Sequence, residues 1–275
     1  SNISIAAGDR GILISESSGI SVYNVSTSSN SNGAISIFNS TNNILSSVNI
    51  YNSGNGLRLE YSSNNYIEGV NVSDRSFEPF NGVYLTESSN NHLKAINISK
   101  SNTGQGAGLI MEINSSNNII EELRVKGDRN LLYLDKNSNN NRLNSVYLAF
   151  DSVRTGGILM NVYSSHYNNF SNIGIVNSPS SGVLLDDGAS YNLIESFSVN
   201  NSRYSIEMDY ALFNSIRDGM INSAGSCAIC FSKSLGGFPE GNIIDSVSMS
   251  QTSIGGYDIA FWDESINGTT IINTN

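Results

Sequence analysis

Proline is scarce in this chain, with 3 residues in 275; cysteine is scarcer still, with 2, and charged residues make up only 14%. Disordered chains are usually rich in proline and charge and poor in β-branched residues. The abundant Asn and Ser therefore do not signal disorder, because Ile and Val recur among them at regular intervals. No stretch approaches the roughly 18 apolar residues that a spanning helix needs, so no membrane insertion is expected. No charged segment followed by an apolar one opens the chain, so a secreted form would already have lost its signal. Cations are few as well: 14 Lys and Arg face 24 Asp and Glu, for a net charge of −10. Counterion release onto nucleic acid needs clustered cations, and no basic run supplies them, which excludes a nucleic-acid partner.

The two cysteines stand in Cys227-Ala-Ile-Cys230. Such a pair can be half of a zinc site or a redox motif, but no second pair, nearby His or βαβ pattern accompanies it. Residues three apart on an extended strand lie about 10 Å apart, beyond the reach of an unstrained disulfide. Two small residues, one of them in the core, are the expectation. His92 and His166 fall some three coils apart and flank turns, which argues against a metal pair. No metal site and no cofactor is expected; calcium alone stays open, because Asp186, Asp187, Asp209 and Asn161 would offer it oxygen ligands.

What the chain does have is a repeat. From Asn43, the residues two, five and seven positions on are Leu45, Val48 and Ile50. The same spacing holds from Asn65, Asn91, Asn118, Asn141, Asn168 and Asn192, and more weakly from Asn214, Asn242 and Asn267. A degenerate first copy runs through Ser18, Ile20, Tyr23 and Val25. Nine steps of 22 to 28 residues separate the anchors, about 25 per coil. A second apolar stretch precedes each Asn and opens on Gly, as in Gly56-Leu-Arg-Leu59, Gly82-Val-Tyr-Leu85, Gly108-Leu-Ile-Met111, Gly157-Ile-Leu-Met160 and Gly182-Val-Leu-Leu185. Period-two alternation, β-branched residues and Gly/Asn/Ser punctuation mark strands. The expected fold is therefore all-β: a right-handed, single-stranded parallel β-helix (solenoid) of about eleven coils. Equivalent residues in stacked coils lie about 4.8 Å apart, so inward Asn side chains at a turn can bond one another in an internal Asn ladder. Asn also tolerates the left-handed backbone that such corners need.

The tandem blocks Ser62-Ser-Asn-Asn-Tyr-Ile67, Ser88-Ser-Asn-Asn-His-Leu93 and Ser115-Ser-Asn-Asn-Ile-Ile120 carry a resemblance. The chain resembles, along nearly its whole length, the parallel β-helix repeat superfamily of carbohydrate-binding proteins and sugar hydrolases, particularly NosD-like repeats of surface proteins. That resemblance implies a glycan partner and an extracellular or cell-surface setting. One solenoid domain over residues 1–275 is expected. Neither end looks capped, although solenoids need caps for solubility. The expectation is a segment of a longer surface protein, or one that self-assembles through its helix ends.

Four residues after each Gly-type position the side chain should point outward. Coil by coil this gives Glu60, Thr86, Glu112, Asp135, Asn161, Asp186, Asp209, Phe231 and Trp262, with Arg58, Tyr84, Tyr133 and Glu207 on the same face. Carboxylates and amides bind sugar hydroxyls, and flat rings stack on sugar faces. Glu60, Tyr84, Glu112, Asn161, Asp187, Phe231 and Trp262 are the glycan-binding candidates. Asp135, Asp186 and Asp209 are candidate catalytic carboxylates, because adjacent coils space acids about 5 Å apart and alternate coils about 9.5 Å apart. Retaining glycosidases use the shorter separation and inverting ones the longer. Asp186-Asp187 also resembles the paired acids of polygalacturonases. That family's Asn-Thr-Asp and Gly-His-Gly motifs are missing here, and its Arg-x-Lys element is matched only by Arg124-Val-Lys126, upstream of the acids. Two functions follow: an extracellular structural or carbohydrate-binding module of a cell-surface or viral protein, or a hydrolase or lyase that degrades an extended polysaccharide along the acidic face.

Overall fold

A computed structural model describes residues 3–74, 81–100, 106–127, 130–151, 157–233, 237–250, 256–262 and 267–275. Every strand pairing in it is parallel, and most coils place one strand in each of two columns, making a right-handed β-helix. The first column follows the anchor Asn and includes Ile44–Tyr51, Tyr66–Asp74, His92–Lys100, Ile119–Gly127 and Arg142–Phe150. The second precedes it and includes Asn55–Glu60, Asn81–Thr86, Leu109–Glu112, Met160–Tyr163 and Ser181–Asp186. Longer strands such as Leu193–Asp209 and Ser215–Ser232 run through both. The stack comes to about ten turns rather than eleven.

The two-five-seven spacing has a local cause. The residue four after the anchor (Ser47, Gly69, Ala95, Glu122, Ser145 and their equivalents) has a left-handed backbone, with φ between 49° and 66°. That kink inserts an extra residue between two inward side chains, as a bulge does, so the first two core residues stand three apart. Leu45, Val48 and Ile50 are each at most 1% exposed, and the same columns stay buried along the stack. Where the pattern breaks, at Gly219, Phe197 of the preceding coil fills the space: an added Cβ there would lie 2.0 Å from its ring.

The Asn ladder is continuous. Asn118 is typical: its backbone N–H and Nδ2 both donate to Asn141 Oδ1, at 2.9 and 3.1 Å, and Nδ2 also reaches the Ser88 carbonyl at 3.0 Å. Its own Oδ1 accepts the same pair of bonds from Asn91. A second ladder, of serine, lies three residues earlier. The Ser40, Ser62 and Ser88 amides donate in turn to the hydroxyls of Ser62, Ser88 and Ser115. Ser62, Ser88 and Ser115 are the first of each Ser-Ser-Asn-Asn block, Ser40 opens Ser40-Thr-Asn-Asn43, and all four are buried.

Four sequence expectations shift here. The left-handed corner residue is not the anchor but the one before it: Asn42, Asn64, Asn90, Asn117 and Asn140, then Tyr167, Tyr191 and Phe213. The anchor is extended and inward, while its neighbour turns the corner outside. The three aromatic corners stack on one another, with centroids 5.0 and 5.2 Å apart. In the last copy Thr269, not Asn267, holds the ladder position, since Ile243 pairs with Thr270 and Asn267 bridges Glu240. In the first copy Ile20 rather than Ser18 stands there, donating its N–H to Asn43 Oδ1 at 2.9 Å. Cys227 and Cys230 are disulfide-bonded, contrary to expectation. The backbone between them is not straight, which brings their Cα atoms to 6.0 Å rather than the extended distance.

Removing one rung should be costly because it leaves buried amides unpaired. Asn118→Ala is expected to lower stability by about 1–3 kcal/mol, whereas Asn97→Ala, on the outward face, should cost under about 0.5 kcal/mol. Urea denaturation of both variants checks this; equal losses would show that the inward ladder is not what holds the coils.

Candidate functional site

The outward face of the second column is set by register. From coil to coil the row at the strand ends reads Phe38, Glu60, Thr86 and Glu112, then Asp135, Tyr163, Asp186, Asp209, Ser232 and Trp262. Two of the expected members move. Asn161 pairs with Tyr133 and Leu184 and so belongs to the outward row two positions earlier, with Tyr163 in its place. The cause is a misleading glycine: Leu159, not Gly157, stands where Gly56, Gly82 and Gly108 stand. Phe231 points inward, fully buried and stacked on Phe261 at 4.8 Å, so it is core and not a surface ring; Ser232 takes the outward position. The glycines of this column are dictated by packing. At Gly82 an added Cβ would lie 2.6 Å from both the Gly108 carbonyl and Ile98.

The remaining candidates are gathered. Glu60 pairs with Arg58 at 2.8 Å, Arg58 lies over the Tyr84 ring, and the Tyr84 hydroxyl bonds Glu112. Burial and that acceptor push the Tyr84 hydroxyl up to about 12. Trp262 is 47% exposed at the far end of the row, edge-on to Tyr204. Asp187 sits in the turn beyond the strand, φ 49°, and accepts a bond from Ser164 Oγ at 2.7 Å.

Asp135, Asp186 and Asp209 share the row as the register required, with Tyr163 between the first two. All three carboxyls are held above the ordinary carboxylate range, chiefly by burial. Asp209 rises furthest, to about 6, because the charges of Asp186 and Glu207 add to its burial. Its Oδ1 is buried without a hydrogen-bond partner. Asp186 Oδ1 accepts the Asp187 amide at 2.6 Å, a bond that favours the ionised form and opposes its burial. Asp135 is only 5% exposed and has Lys136 Nζ 3.8 Å away. Burial thus favours a protonated Asp209, while the amide bond favours an ionised Asp186. A half-buried acid that keeps its proton up to about pH 6, one rung from a carboxylate, can protonate a leaving oxygen.

Among the described residues no group of three acidic, His or Cys side chains is arranged to hold a metal. Asn161, one of the four residues considered as oxygen ligands, stands in the row of Tyr133 and Leu184. Sequence reasoning missed Tyr163 and Ser232 in the row, for which only the strand register supplies a signal.

A β-helix with a row of half-buried acids on one strand column is the class these features define. A family model described as the right-handed β-helix region matches residues 10–166, more than half of the chain, and the chain belongs to that family. A sequence search of curated proteins gave no match. Among solved structures, the catalytic domain of a GH87 α-1,3-glucanase in complex with tetrasaccharides is similar at TM-score 0.58 and 14% identity, over all of this chain. This chain spans 64% of that domain's length. The periplasmic alginate epimerase AlgG is similar at TM-score 0.58 and 10% identity, over 96% of this chain and 78% of that one. At such identities the likeness is one of fold.

The Asp209 shift has a testable sign. The folded carboxyl binds its proton more tightly than an unfolded Asp, so protonation stabilises the fold. That contribution is complete below the unfolded pKa of about 4 and is lost as pH rises through about 6. Asp209→Asn should therefore raise Tm relative to the parent at about pH 7.5 but not at about pH 4. Calorimetry at both pH values decides it; equal shifts would place Asp209 in ordinary surroundings.

Proposed function

We propose that this protein is a polysaccharide-active enzyme, a glycoside hydrolase that lays an extended glycan along the outward face of its second strand column. The observation that carries the proposal is Asp209, a carboxyl that burial and two neighbouring acids hold protonated up to about pH 6. Asp186 is its partner on the adjacent coil. Strand spacing sets the two about 4.8 Å apart along the axis, near the about 5–5.5 Å of retaining enzymes. Asp209 donates its proton to the glycosidic oxygen while ionised Asp186 attacks the anomeric carbon. Water, deprotonated by Asp209, then releases the sugar from the Asp186 ester. Asp135 lies two coils from Asp186 and is more deeply buried, so it serves as a flanking acid rather than a reacting group.

The named activities of the structural neighbours, a glucanase and an alginate epimerase, support a polysaccharide substrate. A setting outside the cytoplasm accords with the disulfide, which persists in oxidising compartments, and with the periplasmic location of the epimerase. Trp262, exposed at the end of the row, favours a second reading, in which the face belongs to an extracellular module that binds glycan without cleaving it.

Reducing-sugar release from a polysaccharide panel separates the two. Under the first reading kcat/KM falls on the basic side with an apparent pKa of about 6. Asp209→Asn and Asp186→Asn each lose at least about a hundredfold in kcat, and Trp262→Ala raises KM. If the Asp186→Asn/Asp209→Asn double variant cleaves as fast as the parent, the chemistry is not here; binding lost in Trp262→Ala, with no cleavage by the parent, would establish the module.

A further inference from the structure

The first strand column has an outward face of its own, which the acid row does not use. Six positions after successive ladder Asn residues stand Asn49, Asn71, Asn97, Arg124 and Tyr147, in register on five consecutive coils. Asn71 Nδ2 donates to Asn49 Oδ1 and Asn97 Nδ2 to Asn71 Oδ1, each at 3.1 Å. The Arg124 guanidinium lies over the Tyr147 ring, 4.8 Å from its centroid. Three cavities of about 290, 440 and 350 Å³ follow one another along this row. The first and second share Asn49 and Asn71, and the second and third share Asn97 and Arg124, so they form one trough along the solenoid axis.

Charge tells the trough from the acid row. In a chain of net charge −10, its largest cavity is lined by Arg124 and Lys126 and, among the described residues, by no carboxylate; the trough's one acid, Glu122, stands in the third cavity beside Arg124. Lys126 pairs with exposed Asp151 at 3.0 Å. Among the described residues Arg124 makes no ion pair; its contact is the face of a ring. Arg124-Val-Lys126, the motif that matched nothing beside the acids, has its place here, since alternate residues of a strand share a face.

We propose that this trough is a second glycan-binding site, for an extended oligosaccharide that carries carboxylates. The amide row offers a donor and an acceptor at every strand spacing, about 4.8 Å, which suits the successive hydroxyls of an extended sugar chain. Arg124 matches a sugar carboxylate with a bidentate fork. The acid row repels the same ligand, so the two faces sort glycans by charge. The inference does not rest on catalysis at Asp209.

Isothermal titration with hexagalacturonate as the probe tests it. The parent should bind, more weakly as salt rises, and Arg124→Ala and Arg124→Gln should each weaken binding at least about tenfold with Tm unchanged. Asn71→Ala should weaken it less, and the Asp186→Asn/Asp209→Asn double variant should bind as well as the parent or better. The proposal is overturned if the folded parent does not bind hexagalacturonate, or if both Arg124 variants bind within about twofold of it. It is equally overturned if neutralising the two acids abolishes binding, which would put the ligand on the other face.

Discussion

One side-chain carbonyl on each coil from Asn43 to Asn242 governs the stack. The Oδ1 of a ladder Asn accepts two bonds from the Asn of the preceding coil, one from its backbone N–H and one from its amide. Both groups are buried, and a buried amide left unpaired costs far more than a paired one contributes. The coils therefore cannot slip against one another without breaking the ladder along its length. The serine hydroxyls beside it tie the same corner a second time. With the corner fixed, the loops are free to vary, and successive anchors stand anywhere from 22 to 28 residues apart without disturbing the core.

Fixed register turns sequence separation into chemistry. Asp186 and Asp209 stand 23 residues apart in the chain and face each other across one strand spacing. Neither carboxyl can escape the other, because each sits on a strand clamped from both sides. Burial and the like charge together keep a proton on Asp209 where an exposed aspartate would lose it. The same clamp on the other column lines up amides, a guanidinium and a phenol ring. A single scaffold thus presents two rows of opposite chemical character, each repeating at the spacing of its strands.

The fold alone does not choose between these rows. Solved structures that share it at 10 to 14% identity include a glucanase domain and an epimerase, and one architecture supports many activities. What distinguishes this chain is where its polar groups are half-buried. Tyr84, Asp186 and Asp209 are all shifted chiefly or partly by burial, on the face that also carries Trp262. The trough bears amides and two exposed cations, with Glu122 as its one acid. The first suits chemistry and the second suits holding.

The sequence by itself determined the solenoid, the Asn ladder, the parallel strand columns and the common row of Asp135, Asp186 and Asp209. It could do so because a repeat states its own geometry: each copy must bury the same positions against its neighbours. The sequence left the frame open wherever a copy departed from the pattern. Gly157 imitates the turn glycine two residues early, which puts Asn161 in the place of Tyr163; counting four residues from Cys227 is one residue early, which puts the core ring Phe231 in the place of Ser232. The ladder position at Thr269 and the bend between Cys227 and Cys230 are hidden in the sequence for a related reason. Which residue turns inward is decided by pairing with the next coil, and where the backbone bends is decided by left-handed corners, and neither is encoded in a single copy. The trough came only from tertiary structure, since Asn49, Asn71, Asn97 and Arg124 become neighbours only when four coils stack in register.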